Sequence, residues 1–156
     1  MSKIYRSPAQ TLLLAWLLAG TMDALAAILI YRVPPMSMFR YIASGAFGAE
    51  ALNGGMGMAL MGVTFHYFIA LVWTLGFFVL ASRLKFTWTN RFLTGLVYGL
   101  LVWVVMNLAV LPLSSAQTRQ LTLTSFAIGA GILMFAIGLP IALIVGRYYA
   151  QRNERG

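Results

Sequence analysis

Long apolar stretches alternate with short polar ones along this chain. Four runs stand out, residues 12–31, 56–81, 92–113 and 121–145, with the charges gathered in the gaps between them. Each meets the requirement of about 20 apolar residues for crossing a bilayer. Inside lipid the backbone must satisfy its own hydrogen bonds within the segment, so the runs are helices. The pattern predicts spans over about 10–31, 56–81, 92–113 and 121–146. Only short tails and loops remain, so the fold class expected is an all-α integral membrane protein with a single membrane domain over residues 1–156. Its expected architecture is an antiparallel four-helix transmembrane bundle.

The first connection, residues 32–55, is long for a helix hairpin, which normally needs about 2–8 residues. Pro34-Pro35 blocks continuation of the first span. Ser37 can then cap a short helix over about 37–52, with Phe39, Ile42, Ala46 and Ala49 along one face. The segment 43–49 is too small and uncharged for an ordinary exposed loop, so an interfacial or re-entrant helix is expected there. Asn53-Gly54-Gly55 ends it and turns the chain into span two. The other loops are short: one carries Trp88 at headgroup depth, and the other is a polar outer loop over 114–120, entered after Pro112. Pro140 lies inside the fourth run and predicts a kink near Ala136.

Composition agrees: 61% of residues are hydrophobic and 9% charged, against about a quarter charged in a soluble domain. The net charge of +8 is a matter of topology. Lys3, Arg6, Arg83, Lys85, Arg91, Arg147, Arg152 and Arg155 fall on one side, and only Arg32, Arg40 and Arg119 on the other. The positive-inside rule then puts both termini in the cytoplasm and leaves nucleic acid a poor partner. Membrane lipid is the partner such a surface implies. Lys3 and Arg6 before an apolar core also resemble a secretory signal, with Ala24-Leu25-Ala26 as a cleavage site. The run continues through Ile28–Ile30, so a retained span is expected. Without cysteine there is neither a disulfide nor a thiolate metal site.

Candidate chemistry sits within the spans. Asp23 lies inside the first, where a charge costs roughly 2.5–3.5 kcal/mol and therefore turns toward protein or water. Helical spacing groups it with Trp16, Gly20 and Ala27, opposite Leu14, Leu18, Leu25 and Leu29. In span two, Gly55, Ala59, Gly62, His66, Ala70 and Trp73 form one row. In span three, Gly99, Trp103 and Asn107 do the same. At about 1.5 Å per residue, Asp23, His66 and Asn107 all fall about 10–17 Å below the outer surface, so they are expected to meet. Glu50 and Asn53 are expected to reach toward them if the connecting helix dips inward.

An Asp–His pair in low dielectric can relay protons or bind a cation. The same three residues can equally brace the helices at about 1 kcal/mol per bond. One His, one Asp and a distant Glu have no metal-site spacing, and Ser44-Gly45 has no nucleophile-elbow context. Neither a metal, a cofactor nor a catalytic residue is expected. Gly20, Gly55, Gly62, Gly95, Gly99 and Gly138 are candidate helix-packing positions, and such motifs also permit a homodimer or a partner membrane protein.

Ile42-Ala43-Ser44-Gly45, Gly48, Gly54-Gly55, Gly62 and His66 through Ala70 resemble a family of small four-span bacterial inner-membrane proteins. Tyr98-Gly99, Met106-Asn107, Val110-Leu111-Pro112-Leu113-Ser114 and Gly138-Leu139-Pro140 extend the likeness over nearly the whole chain. A looser similarity to YagU-type inner-membrane proteins breaks down in the first loop. The resemblance implies an inner-membrane location and four spans, and it brings no activity or site residues with it. Small multidrug transporters also have four helices and an acid in the first, but the long first connection and His66 depart from that pattern. The leading expectation is transport or permeation of protons, cations or a small solute. A structural or accessory subunit is the alternative, and a lipid-acting membrane enzyme stands third.

Overall fold

A computed structural model describes residues 7–85, 89–117 and 122–154. Lys3, Arg6, Trp88, Arg119 and Arg155 lie outside the described residues. Four helices are long and apolar enough to cross a membrane: α1 (Pro8–Tyr31), α3 (Met56–Arg83), α4 (Arg91–Leu113) and α5 (Leu123–Asn153). They mark the chain as a multi-pass membrane protein. A shorter helix, α2 (Pro35–Phe47), lies between the first two.

The helix starts follow from local chemistry. Ser7 and Gln10 form a reciprocal capping box at α1, and Thr122 with Ser125 does the same at α5. The Asn90 side chain accepts a hydrogen bond from the Leu93 amide to open α4. Arg32, in the left-handed region with φ 52°, closes α1.

Two proline effects reshape the spans. Pro112 and Pro140 have no amide hydrogen, and each ring crowds the carbonyl four residues earlier. In each case the helix widens into a π turn just before the proline, at Met106–Val110 and at Leu133–Gly138. The second turn lies where Pro140 predicts a kink.

The connecting helix differs from the expectation. It begins at Pro35 rather than after Ser37, and Ser37 makes no cap. Proline suits a first helical position because its missing amide would have no partner there. Gly48, at φ 73°, stops α2, and a 3-10 turn over Ala49–Asn53 follows. The buried residues of α2 are Ala43 and Ser44, while Ala46, and Ala49 beyond its end, are exposed. The packing face is therefore rotated from the stripe the spacing suggests. Phe39 and Ile42 border it, half-buried.

Helix α5 is central. Half the residues in its apolar window are buried, against 22% in each other span, and it packs against α1, α3 and α4. The core combines Phe77 and Ala81 of α3, Tyr98 and Val102 of α4, and Ile137, Ile141 and Val145 of α5 with the small Ala15 and Ala19 of α1. Glycines set the closest approach: a Cβ on Gly138 would strike the Gly95 carbonyl, and one on Gly95 would sit 2.8 Å from Leu139 Cα. Without hydrophobic exclusion to drive them together in lipid, helices gain from backbone contact of this kind. Tyr98 adds an interhelical hydrogen bond, donating to the Trp73 carbonyl at 2.7 Å.

Candidate functional site

The small-residue face of α1 meets α3. Gly20 lets the Tyr67 ring approach: a Cβ there would be 3.0 Å from its nearest ring carbon. Around that contact, Trp16 donates its indole N–H to the Tyr67 carbonyl at 2.7 Å. The hydroxyls of Thr21 and Tyr67 are 2.8 Å apart. His66 Nε2 lies 2.8 Å from the Gly20 carbonyl oxygen, and the imidazole is buried. The Tyr67 and Phe39 rings stand edge-on to it, at centroid distances of 5.3 and 6.0 Å.

Asp23 sits one turn beyond Gly20, half-buried and within electrostatic reach of His66. Its carboxylate accepts no hydrogen bond from the described residues. No fully buried side-chain oxygen or nitrogen among the described residues lacks a partner, so the carboxylate oxygens are not sealed from their surroundings. The combination is a carboxylate with open acceptor positions beside an imidazole already tied on one nitrogen.

The structure brings together Asp23 and His66 but not the other three candidates. Asn107 donates to the Trp103 carbonyl of its own helix at 3.0 Å. The reason is architectural: α4 packs chiefly against α5, which lies between it and α1. Equal depth thus places residues in one layer without making them neighbours. Glu50 and Asn53 are exposed on the 3-10 turn and share no hydrogen bond with Asp23 or His66. Gly55 is exposed at the start of α3 with open space around its Cβ position, so it caps a helix and packs against nothing. Gly20, Gly62, Gly95, Gly99 and Gly138 are buried at helix contacts.

Sequence reasoning missed Tyr67 and Thr21, which read as part of an apolar run although their hydroxyls pair inside it. Tyr67 follows His66 directly, and Trp16 already shared the Asp23 face. Those were the available signals. No group of three His, Cys, Asp or Glu among the described residues is placed to hold a metal ion.

The α2 helix covers this site from one end. The Phe39 carbonyl rests on Gly62, where a Cβ would overlap it. Arg40 donates to the Gly54 carbonyl at 2.8 Å, and the Ser115 amide donates to the Gly45 carbonyl at 2.9 Å. The helix is thus tied both to the start of α3 and to the segment after α4.

Comparison with protein-family models, curated proteins and solved structures finds no match to this chain. The functional reading therefore rests on the geometry of the Asp23–His66 pair.

Proposed function

We propose that this chain is a small inner-membrane transport or permeation protein, an antiparallel four-span bundle with both termini cytoplasmic. Asp23 and His66 carry a proton or a cation through it. The charge distribution supports the orientation, and the resemblance to small bacterial membrane proteins supports the location. The observation that carries the functional reading is the half-buried Asp23 carboxylate. It lies beside His66 and accepts no hydrogen bond from the described residues. An intramembrane acid without a structural partner fits a group that exchanges a proton or ion better than a helix brace.

The mechanism this implies is short. His66 donates Nε2–H to Gly20, which fixes the ring and leaves Nδ1 as its exchangeable nitrogen. Asp23, a neighbouring charge, stabilises the protonated ring or takes the proton itself. Alternating occupancy of the two groups then moves charge along the α1–α3 contact.

The test is ion and proton flux into liposomes carrying the purified chain, with Asp23→Asn alongside. Flux should vanish in the variant while the folded protein remains abundant. Unchanged flux would remove Asp23 from the path.

A second reading is favoured by the His66–Gly20 hydrogen bond, which ties two helices together as a brace would. In that reading the chain is an accessory subunit of a larger assembly. Asp23→Asn would then lower folded yield or partner association, with no flux in either form.

A further inference from the structure

We propose that a groove between α1 and α5 binds one acyl chain of an anionic phospholipid, whose headgroup pairs with Arg32. The groove has a volume of about 500 Å³, and every residue lining it is apolar. One wall is Met22, Ala26 and Ile30, one turn apart on α1. The other is Ala127, Gly131 and Phe135, at the same spacing on α5. Alanine and glycine keep the floor low, while the rims stay open: Leu25 is 52% exposed and Phe135 56%. The groove therefore faces the bilayer from the side.

Its length and direction fit a lipid tail. A Cβ on Gly129 would lie 3.5 Å from the Tyr31 hydroxyl, so the end of α1 and the start of α5 share one membrane surface. From Ile30 the groove runs inward to Met22, about 12 Å at 1.5 Å per residue. One leaflet of a roughly 30 Å hydrocarbon core is about 15 Å deep. The groove is thus about one leaflet deep and parallel to the helix axes.

Charge complementarity selects the headgroup. Arg32 follows Ile30 by two residues and is exposed at the mouth, and it makes no hydrogen bond or ion pair among the described residues. A guanidinium at the rim matches a lipid phosphate in charge and in donor geometry. No acidic residue lines either wall.

The site is tested by thermal unfolding of the full chain in detergent, titrated with phosphatidylglycerol or phosphatidylcholine. Phosphatidylglycerol should raise the midpoint by roughly 5 °C, and phosphatidylcholine less. Gly131→Leu should unfold as the parent does without lipid, because a Cβ there meets nothing within 4 Å, yet lose the response to both lipids. Arg32→Gln changes no packing and should keep a response that no longer distinguishes the two. An equal response to both lipids in the parent would overturn the headgroup assignment. An undiminished response in Gly131→Leu would overturn the groove. A parent dimer that Gly131→Leu converts to monomer would assign the groove to a second copy of the chain instead.

Discussion

The Nε2 atom of His66 stands 2.8 Å from the carbonyl oxygen of Gly20 on the neighbouring helix. A carbonyl only accepts, so Nε2 carries the hydrogen and Nδ1 is left to gain or lose a proton. Structural and chemical roles therefore fall on different ring atoms, and substitutions can separate them. Glutamine places a donor where Nε2 stands but cannot titrate. His66→Gln should melt within a few degrees of the parent while its proton flux falls roughly a hundredfold. His66→Leu loses the hydrogen bond too and should be less stable by about 1–2 kcal/mol. Full flux in the glutamine variant would show His66 to be a brace only.

The α4–α5 interface depends on backbone contact. A Cβ on Gly138 would meet the Gly95 carbonyl and the Gly99 backbone, none of which can rotate away. Gly138→Ala should therefore cost about 1–3 kcal/mol through overpacking. Gly57 and Gly131 also lie in helices, but a Cβ at either meets nothing within 4 Å. Alanine there should be neutral, or stabilising by up to about 1 kcal/mol through helix propensity. Thermal midpoints of the three variants in one detergent would check the contrast. A Gly138→Ala protein as stable as the parent would rule out close backbone packing.

These contrasts also indicate what was legible in the sequence. Hydropathy located the four spans because length and apolarity alone decide whether a helix can cross a bilayer. The three- and four-residue spacing of Ala59, Gly62, His66 and Ala70 revealed the buried face of α3, since one stripe of a helix must face its neighbours. Helix order was not legible. Nothing along the chain marks α5 as the central helix, so the depth of Asn107 could be estimated while its neighbours could not. The boundaries of α2 differ from the expectation for a local reason. Pro35 is a good first helical residue because its missing amide needs no partner there, so α2 opens without the polar cap that Ser37 offers two residues later.

The α2 helix should prove separable from the bundle. Its contact with α3 rests on Gly62, where a Cβ would overlap the Phe39 carbonyl. Gly62→Ala should push α2 outward at a cost of about 1–3 kcal/mol, leaving the four spans in place. Amide exchange over residues 35–47 should then speed up, while exchange in the spans stays unchanged. Uniform acceleration along the whole chain would mean that α2 is integral to the core.

The paired hydroxyls of Thr21 and Tyr67, 2.8 Å apart, distinguish a conducting group from a brace. Thr21 is exposed, and Tyr67 is held independently because its carbonyl accepts from the Trp16 indole. Tyr67→Phe removes the hydroxyl and leaves both the ring and that carbonyl. If the pair only braces α1 against α3, the loss should be about 0.6 kcal/mol, the average for interhelical hydrogen bonds in membranes. Thr21→Val should cost a similar amount, and the double variant little more than either alone, since both remove one bond. Flux should stay within about threefold of the parent, because Asp23 and His66 remain. A loss comparable to that of Asp23→Asn would instead put the two hydroxyls in the path of the transported species, extending the site along the α1–α3 contact.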